Sequence, residues 1–290
     1  MKNVICTRSA LQLQSYERIL TISGMNPNVD ITRFGVAIIE SLATDEPQTG
    51  SKLYDEVLMP LQAADETLFY DLYKVKDVCD LKTTIETIIK RHKDNEMLAL
   101  HFETHGCEEG VQLASGEIVP WKVFLNYCRA VNEELGGLLN VTTAMCYSIP
   151  LIADIMPSLR APFNAIVITR RDVSVDEIKR GYSTYFQIYR NCLDIGPAKD
   201  AMRQEVNDGN VMNSPFEMIT ASWLFDQITN PDNNPIGFPH VVNHWFCVKK
   251  SQDPSYTKER VEEEIRGLFK VIAEKGKDYY LYKDLYVREK

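Results

Sequence analysis

Short apolar runs alternate with amphipathic stretches through residues 33–205. Phe34-Gly35-Val36-Ala37-Ile38-Ile39 is too brief for a helix and apolar at nearly every position, so it reads as a strand buried on both faces. Leu68-Phe69-Tyr70-Asp71-Leu72-Tyr73, Met97-Leu98-Ala99-Leu100-His101-Phe102, Leu138-Leu139-Asn140-Val141-Thr142-Thr143 and Ala165-Ile166-Val167-Ile168-Thr169 read the same way. Between them apolar residues recur at helical spacing. Tyr54, Val57, Leu58 and Leu61 follow a cap at Ser51; Leu81, Ile85, Ile88 and Ile89 follow a cap at Asp80. Pro120 opens a helix faced by Trp121, Phe124, Leu125, Cys128 and Val131. Ser174 and Glu177 have capping-box spacing ahead of Ile178, Tyr182, Tyr185 and Tyr189.

Strands that alternate with helices predict an α/β fold: a mainly parallel sheet with helices on both faces. The core is expected over residues 1–205, with 206–290 an extension packed on it. That extension carries an Asn/Pro/Asp-rich loop (Asn230 to Pro239) and an amphipathic helix with Val261, Ile265, Leu268, Phe269 and Ile272. Gly276 is expected to end this helix, and Tyr279, Tyr280, Tyr282 and Tyr286 to lie in a half-buried strand.

Composition narrows the setting. Of 290 residues, 44% are apolar and 25% charged, as in ordinary globular proteins. A net charge of −9 argues against a broad electrostatic grip on nucleic acid or anionic lipid. No signal peptide and no membrane-spanning run is visible. Seven cysteines, none in a CxxC pair, fit reduced thiols in a cytoplasm. A cytoplasmic protein with no nucleic-acid or membrane partner is expected.

Two strand ends carry the chemistry. In an open parallel sheet, function gathers beyond the carboxyl ends of the strands. The third run leads into Glu103-Thr104-His105-Gly106 and the fourth into Ala144-Met145-Cys146, 41 residues on. If the strands are neighbours, His105 stands close enough to take the Cys146 proton directly or after slight adjustment. Gly106 lets its N–H approach a ligand and, with the N–H of Cys146, forms an oxyanion hole. Ser148 and Pro150 look like a helix start, whose dipole together with a nearby imidazolium favours the thiolate.

These residues resemble the caspase-like cysteine peptidases, including the CHAT group. The likeness rests on Leu98 to Gly106, on the hairpin-like Glu108 to Glu117, on Val141 to Ser148 and on Phe186 to Ala201, and covers roughly residues 33–205. It implies a caspase-like three-layer sandwich, Cys146 as nucleophile, His105 as base, Gly106 and Cys146 as oxyanion donors, and no cofactor. Caspases carry Gln-Ala-Cys where this chain has Ala144-Met145-Cys146. They also place an arginine after the first strand to bind aspartate, whereas Ser41 to Gly50 holds neither Arg nor Lys. Asp45, Glu46 and Ala144 are therefore the substrate-binding candidates, the two acids toward a basic residue. Only 15 residues separate Cys146 from Pro162, which implies a peptidase working as an uncleaved single chain. Stand-alone CHAT-like peptidases resemble those of phage-defence operons, where gasdermin-like pore formers are targets; this implies a bacterial protein substrate and a regulatory partner or upstream sensor.

Other readings compete with this one. Cys107, beside His105, is a second thiol, but no helix start follows it. His101, Glu103 and His105 share one face of a strand and open a metal-dependent hydrolase reading, although neither the metalloprotease nor the zinc-deaminase pattern is met; otherwise His101 is a core or supporting group. His240, His244 and Cys247 have metal-ligand spacing if helical, with packing the expected role. A caspase-like binding or scaffold protein without catalysis is the remaining alternative.

Overall fold

The computed structural model describes residues 33–65, 68–91, 96–192, 195–207, 213–233 and 237–285. Eight strands are present among them: β1 (Arg33–Ser41), β2 (Leu68–Lys74), β3 (Glu96–Gly106), β4 (Gly110–Gln112), β5 (Ile118–Pro120), β6 (Asn140–Ala144), β7 (Ala165–Thr169) and β8 (Phe216–Thr220). The main sheet has the order β2-β1-β3-β6-β7-β8. All of its pairings are parallel except β7 with β8. All five strands expected from the apolar runs are present. The hairpin after His105 is also formed, as β4 and β5.

The helices are α1 (Thr49–Leu53), continued by a π turn (Tyr54–Leu58) into α2 (Met59–Ala64), then α3 (Val78–Arg91), α4 (Trp121–Glu134), α5 (Val175–Cys192), α6 (Ile195–Glu205), α7 (Ala221–Thr229), α8 (Gly237–Gln252) and α9 (Lys258–Tyr280). Adjacent residues of β3 show that both faces are covered. His101 meets Tyr182 and Phe186 of α5, while Phe102 meets Phe124 of α4. Side chains alternate along a strand, so α5 and α4 lie on opposite faces. The fold is α/β with a mainly parallel sheet between helical layers, and the apolar faces read from sequence are the buried ones: Leu81, Ile85 and Ile88 of α3, and Tyr182, Tyr185 and Tyr189 of α5. None of the helices described is long and apolar enough to cross a membrane.

Several local expectations are corrected. Ser51 lies inside α1, where its N–H and Oγ donate to Glu40. Asp77, not Asp80, accepts from the first turn of α3. The capping box at α5 is formed as read, with Ser174 and Glu177 exchanging side-chain-to-backbone bonds of 2.9 and 3.2 Å. The sheet continues past residue 205, because β8 from the region expected as an extension pairs along the whole of β7. Gly276 does not end α9, which runs on to Tyr280. Tyr280 and Tyr282 are fully buried at and after a helix end instead of in a strand, and Tyr286 lies outside the described residues.

Those tyrosines help close the sheet. Arg160, in the β6–β7 connection, stacks over the rings of Tyr279 and Tyr282 and clamps Asp284 with both terminal nitrogens. Ala161 donates to the Tyr280 carbonyl at 3.0 Å and accepts from the Tyr282 hydroxyl at 2.9 Å. Asn132 of α4 completes the joint: Nδ2 donates to Ala161 O and Oδ1 accepts from Leu139 N, both at 2.9 Å. Asn132 is fully buried, so truncating it orphans the Leu139 N–H, while Ala161 O keeps the Tyr282 hydroxyl. Asn132→Ala is expected to destabilise the protein by about 1–3 kcal/mol, read as a lower denaturation midpoint at unchanged slope.

Candidate functional site

Four consecutive strands of the sheet end at one edge, and each delivers one polar side chain there. The loop after β1 carries Glu46, β3 ends at His105-Gly106, β6 leads into Cys146, and β7 leads into Asp172-Val173. Strand order reverses between β1 and β3, since β2 lies to one side and β6 to the other. A crevice forms at such a point in open parallel sheets.

The register explains why His105 and Cys146 share the edge. Glu103 pairs with Ala144, so residues 105 and 146 each lie two positions further on. The two backbones are in contact just beyond: a Cβ built on Gly106 would sit 2.0 Å from the Cys146 carbonyl oxygen. Glycine is required there by its neighbour strand. The two proposed oxyanion backbones are thus adjacent.

The imidazole is bonded elsewhere. Its Nε2 lies 2.7 Å from Glu46 Oε1. The other oxygen of Glu46 accepts from Ala43 N at 2.7 Å. The Ala43 N–H, helped by the His105 contact, holds this carboxyl below its ordinary pKa against the opposing effect of burial. An ionised Glu46 only accepts, so Nε2 carries the proton and Nδ1 of a neutral His105 is the basic atom. The ring is 53% exposed. Glu46, read from sequence as a substrate ligand, is the partner of the histidine, whereas Asp45 is exposed and Ala144 is buried within β6.

Cys146 is half-buried, and among the described residues it is not hydrogen-bonded to His105. Its Sγ accepts from Val173 N at 3.5 Å. Burial pushes the thiol above its usual pKa and Asp172 adds to this, with the Val173 N–H opposing. The helix expected to lower it is a six-residue 3₁₀ turn (Ile149–Asp154). Ser148 does not cap that turn through its hydroxyl; its Oγ accepts from Thr169 N at 2.7 Å, tying the turn to β7. Thr169 Oγ1 in turn donates to the Met145 carbonyl, so the residue before Cys146 is fixed from the same strand.

Tyr147 has φ +52°, a conformation that costs a non-glycine residue about 1 kcal/mol or more. The bend turns the chain off β6 immediately after Cys146. Its hydroxyl donates to Asp172 at 3.3 Å. Neither Tyr147 nor Asp172 was picked out from sequence, although extending the strand-end rule to the fifth apolar run nominates Arg170 to Val173.

The remaining candidates are accounted for. Cys107 Sγ donates to Gly110 O at 3.3 Å within the hairpin turn. His101 and Glu103 do share the face of β3 that leads to His105, but they are fully buried: His101 Nε2 is 2.9 Å from Glu103 Oε1 and its Nδ1 is 2.7 Å from Thr142 Oγ1. His101 and His105 therefore face different carboxylates. Among the described residues no group of three His, Cys, Asp or Glu is placed to hold a metal ion. His244 and Cys247 do lie on a helix, α8, and are exposed on it instead of packed; the His240 side chain is outside the described residues. No protein-family model matches the chain, and no curated protein matches it.

Because Asp172 holds the thiol up, Asp172→Asn is expected to move the pH midpoint for iodoacetamide alkylation of Cys146 downward. The rate at neutral pH then rises. An unchanged midpoint refutes the assigned contact.

Proposed function

We propose that the chain is a caspase-like cysteine endopeptidase, a single-chain enzyme resembling the CHAT group, in which Cys146 attacks the scissile carbonyl and His105 moves the protons. The observation that carries this reading is the convergence of Glu46, His105 and Cys146 from three adjacent strand ends onto one edge of the sheet. In a nucleophile–base–orienter arrangement the third group fixes the tautomer of the base. Glu46 on Nε2 does so here and leaves Nδ1 for the thiol. Rotation of the half-exposed ring brings Nδ1 to Sγ, and proton transfer forms the thiolate–imidazolium pair. The Cys146 sulfur then bonds to the carbonyl carbon, and the carbonyl electron pair moves to oxygen beside the N–H groups of Gly106 and Cys146. Collapse expels the amine, which takes the proton from His105. Water, deprotonated by the same ring, hydrolyses the thioester.

The β6–β7 connection supports an uncleaved chain, since Arg160 and Ala161 within it are bonded to α4 and to the end of α9. Asp172 stands against the nucleophile and faces solvent, so a basic side chain next to the scissile bond is the favoured substrate feature. By resemblance the target is a protein, with a gasdermin-like pore former in bacterial phage defence as the candidate, in a cytoplasmic setting under an upstream sensor.

Cleavage of a mixed peptide library is the test. Cys146→Ala and His105→Ala are expected to lose about 10²-fold or more in kcat/KM, and cleavage after Arg or Lys to weaken selectively in Asp172→Asn. A competing reading, a binding protein that keeps the fold without catalysis, draws on the raised thiol and the missing Cys146–His105 bond. Labelling with a peptidyl ketone separates the two. If Cys146 reacts no faster than the other six thiols and Cys146→Ala leaves proteolysis unchanged, the peptidase reading fails.

A further inference from the structure

β3 carries two buried groups, His101 and Glu103, that the proposed reaction does not use. His101, Glu103 and His105 occupy alternate positions of one strand and so share a face. Two of them are sealed inside, His101 at 0% and Glu103 at 1% exposure. Buried ionic groups are often no more stabilising than well-packed apolar ones, so stability is weak grounds for their presence. Each member of the row bonds to a different element: His101 to Thr142 of β6, Glu103 to Thr49 of α1, and His105 to Glu46 of the β1–α1 loop.

We propose that Glu103, backed by His101, is a positioning residue that sets Glu46 against His105 by anchoring the first turn of α1; the proposal rests on the peptidase reading of the site. Thr49 Oγ1 donates to Glu103 Oε2 at 2.6 Å. The second anchor comes from the next strand, where Glu40, in register with Glu103, accepts from Ser51 N at 2.8 Å and Ser51 Oγ at 2.5 Å. Gly50 lies between them with no room for a side chain, a Cβ there standing 2.9 Å from Glu103 Cγ. Two carboxylates from adjacent strands thus fix both the height and the rotation of the helix start, where the helix dipole also favours them.

From this fixed turn the position passes outward along the loop. Gln48, immediately before Thr49, donates through Nε2 to Ala43 O at 2.8 Å and to Glu46 O at 3.2 Å. The Glu46 N–H donates back to Ala43 O at 3.1 Å, while its carboxylate accepts from Ala43 N. The loop is folded on itself and offers one oxygen, Oε1, to His105. Loosening the helix start moves that oxygen without removing any group that touches substrate.

Three variants test the link: Thr49→Val, which keeps the shape and removes the hydroxyl; Thr49→Ser, which restores the hydroxyl; and Gln48→Met. Gln48 makes no side-chain cap bond to α1, so Gln48→Met cuts the loop tie while leaving the buried cluster intact. The readouts are kcat and KM on a cleaved library peptide, the melting temperature, and the imidazole ¹⁵N shifts of His105, assigned with the His105→Ala protein. Thr49→Val and Gln48→Met are expected to lower kcat by about 10- to 100-fold with little change in KM, and to move the His105 Nε2 resonance toward its unbonded position. Thr49→Ser is expected to behave as the parent. Should Thr49→Val fail to fold, Gln48→Met carries the test. A folded Gln48→Met protein with parental kcat and parental His105 shifts overturns the proposal, as does a loss in Thr49→Val that Thr49→Ser shares. If the parent protein cleaves nothing, the peptidase reading falls, and the ¹⁵N shifts alone decide the positioning link.

Discussion

The parallel pairing of β3 with β1 on one side and β6 on the other governs the edge of this molecule. Nine residues of β3 are in register with β1 and five with β6. Those ladders bring Glu46, His105 and Cys146 to one edge of the sheet although 59 positions separate the first pair and 41 the second. A slip of one residue in β3 would turn His101, Glu103 and His105 to the face of α4, and bring Phe102 under α5. The apolar residues of β3 resist such a slip, because Leu98, Leu100 and Phe102 are buried on one face and Met97 and Ala99 on the other.

Around that frame the polar groups divide by depth. Deep in the sheet, buried hydroxyls and carboxylates satisfy one another. Thr169 and Ser148 tie β7 to the turn after Cys146, while Glu40 and Glu103 hold the start of α1. At the surface the reactive groups are less constrained, with a half-exposed imidazole, a thiol held protonated by burial and Asp172, and a left-handed Tyr147. Rigid support beneath half-exposed groups suits the proposed peptidase, whose final hydrogen bonds would form as substrate enters and expels water. In that reaction the imidazolium formed when His105 takes the Cys146 proton stabilises the thiolate.

The C-terminal residues belong to the same construction. β8 closes one side of the sheet antiparallel to β7, and the end of α9 holds the β6–β7 connection through Arg160, Ala161 and the buried ring of Tyr282. That connection begins just after Cys146, and the C-terminal region holds its other end, where the chain enters β7.

The amino-acid pattern by itself determined the parts that depend on local burial and spacing. Apolar runs of five or six residues place all five parallel strands, because a strand buried on two faces needs apolar side chains at consecutive positions. Helical periodicity identifies the inner faces of α3, α4 and α5, and the Ser174–Glu177 box marks a helix start, because its bonds form within one turn. The strand-end rule leads to His105 and Cys146 for the same reason. Partners chosen across the sheet were a different matter. That Glu46 takes His105, that Asp172 and Val173 flank the thiol, that Ser148 bonds β7 and not its own turn, and that Gly106 is required by the Cys146 carbonyl all depend on strand order and register. Those contacts join residues from 21 to 59 positions apart, beyond the reach of any local motif. Only the folded chain brings such groups within reach, because hydrogen-bond distance is a property of neighbouring strands and not of neighbouring residues.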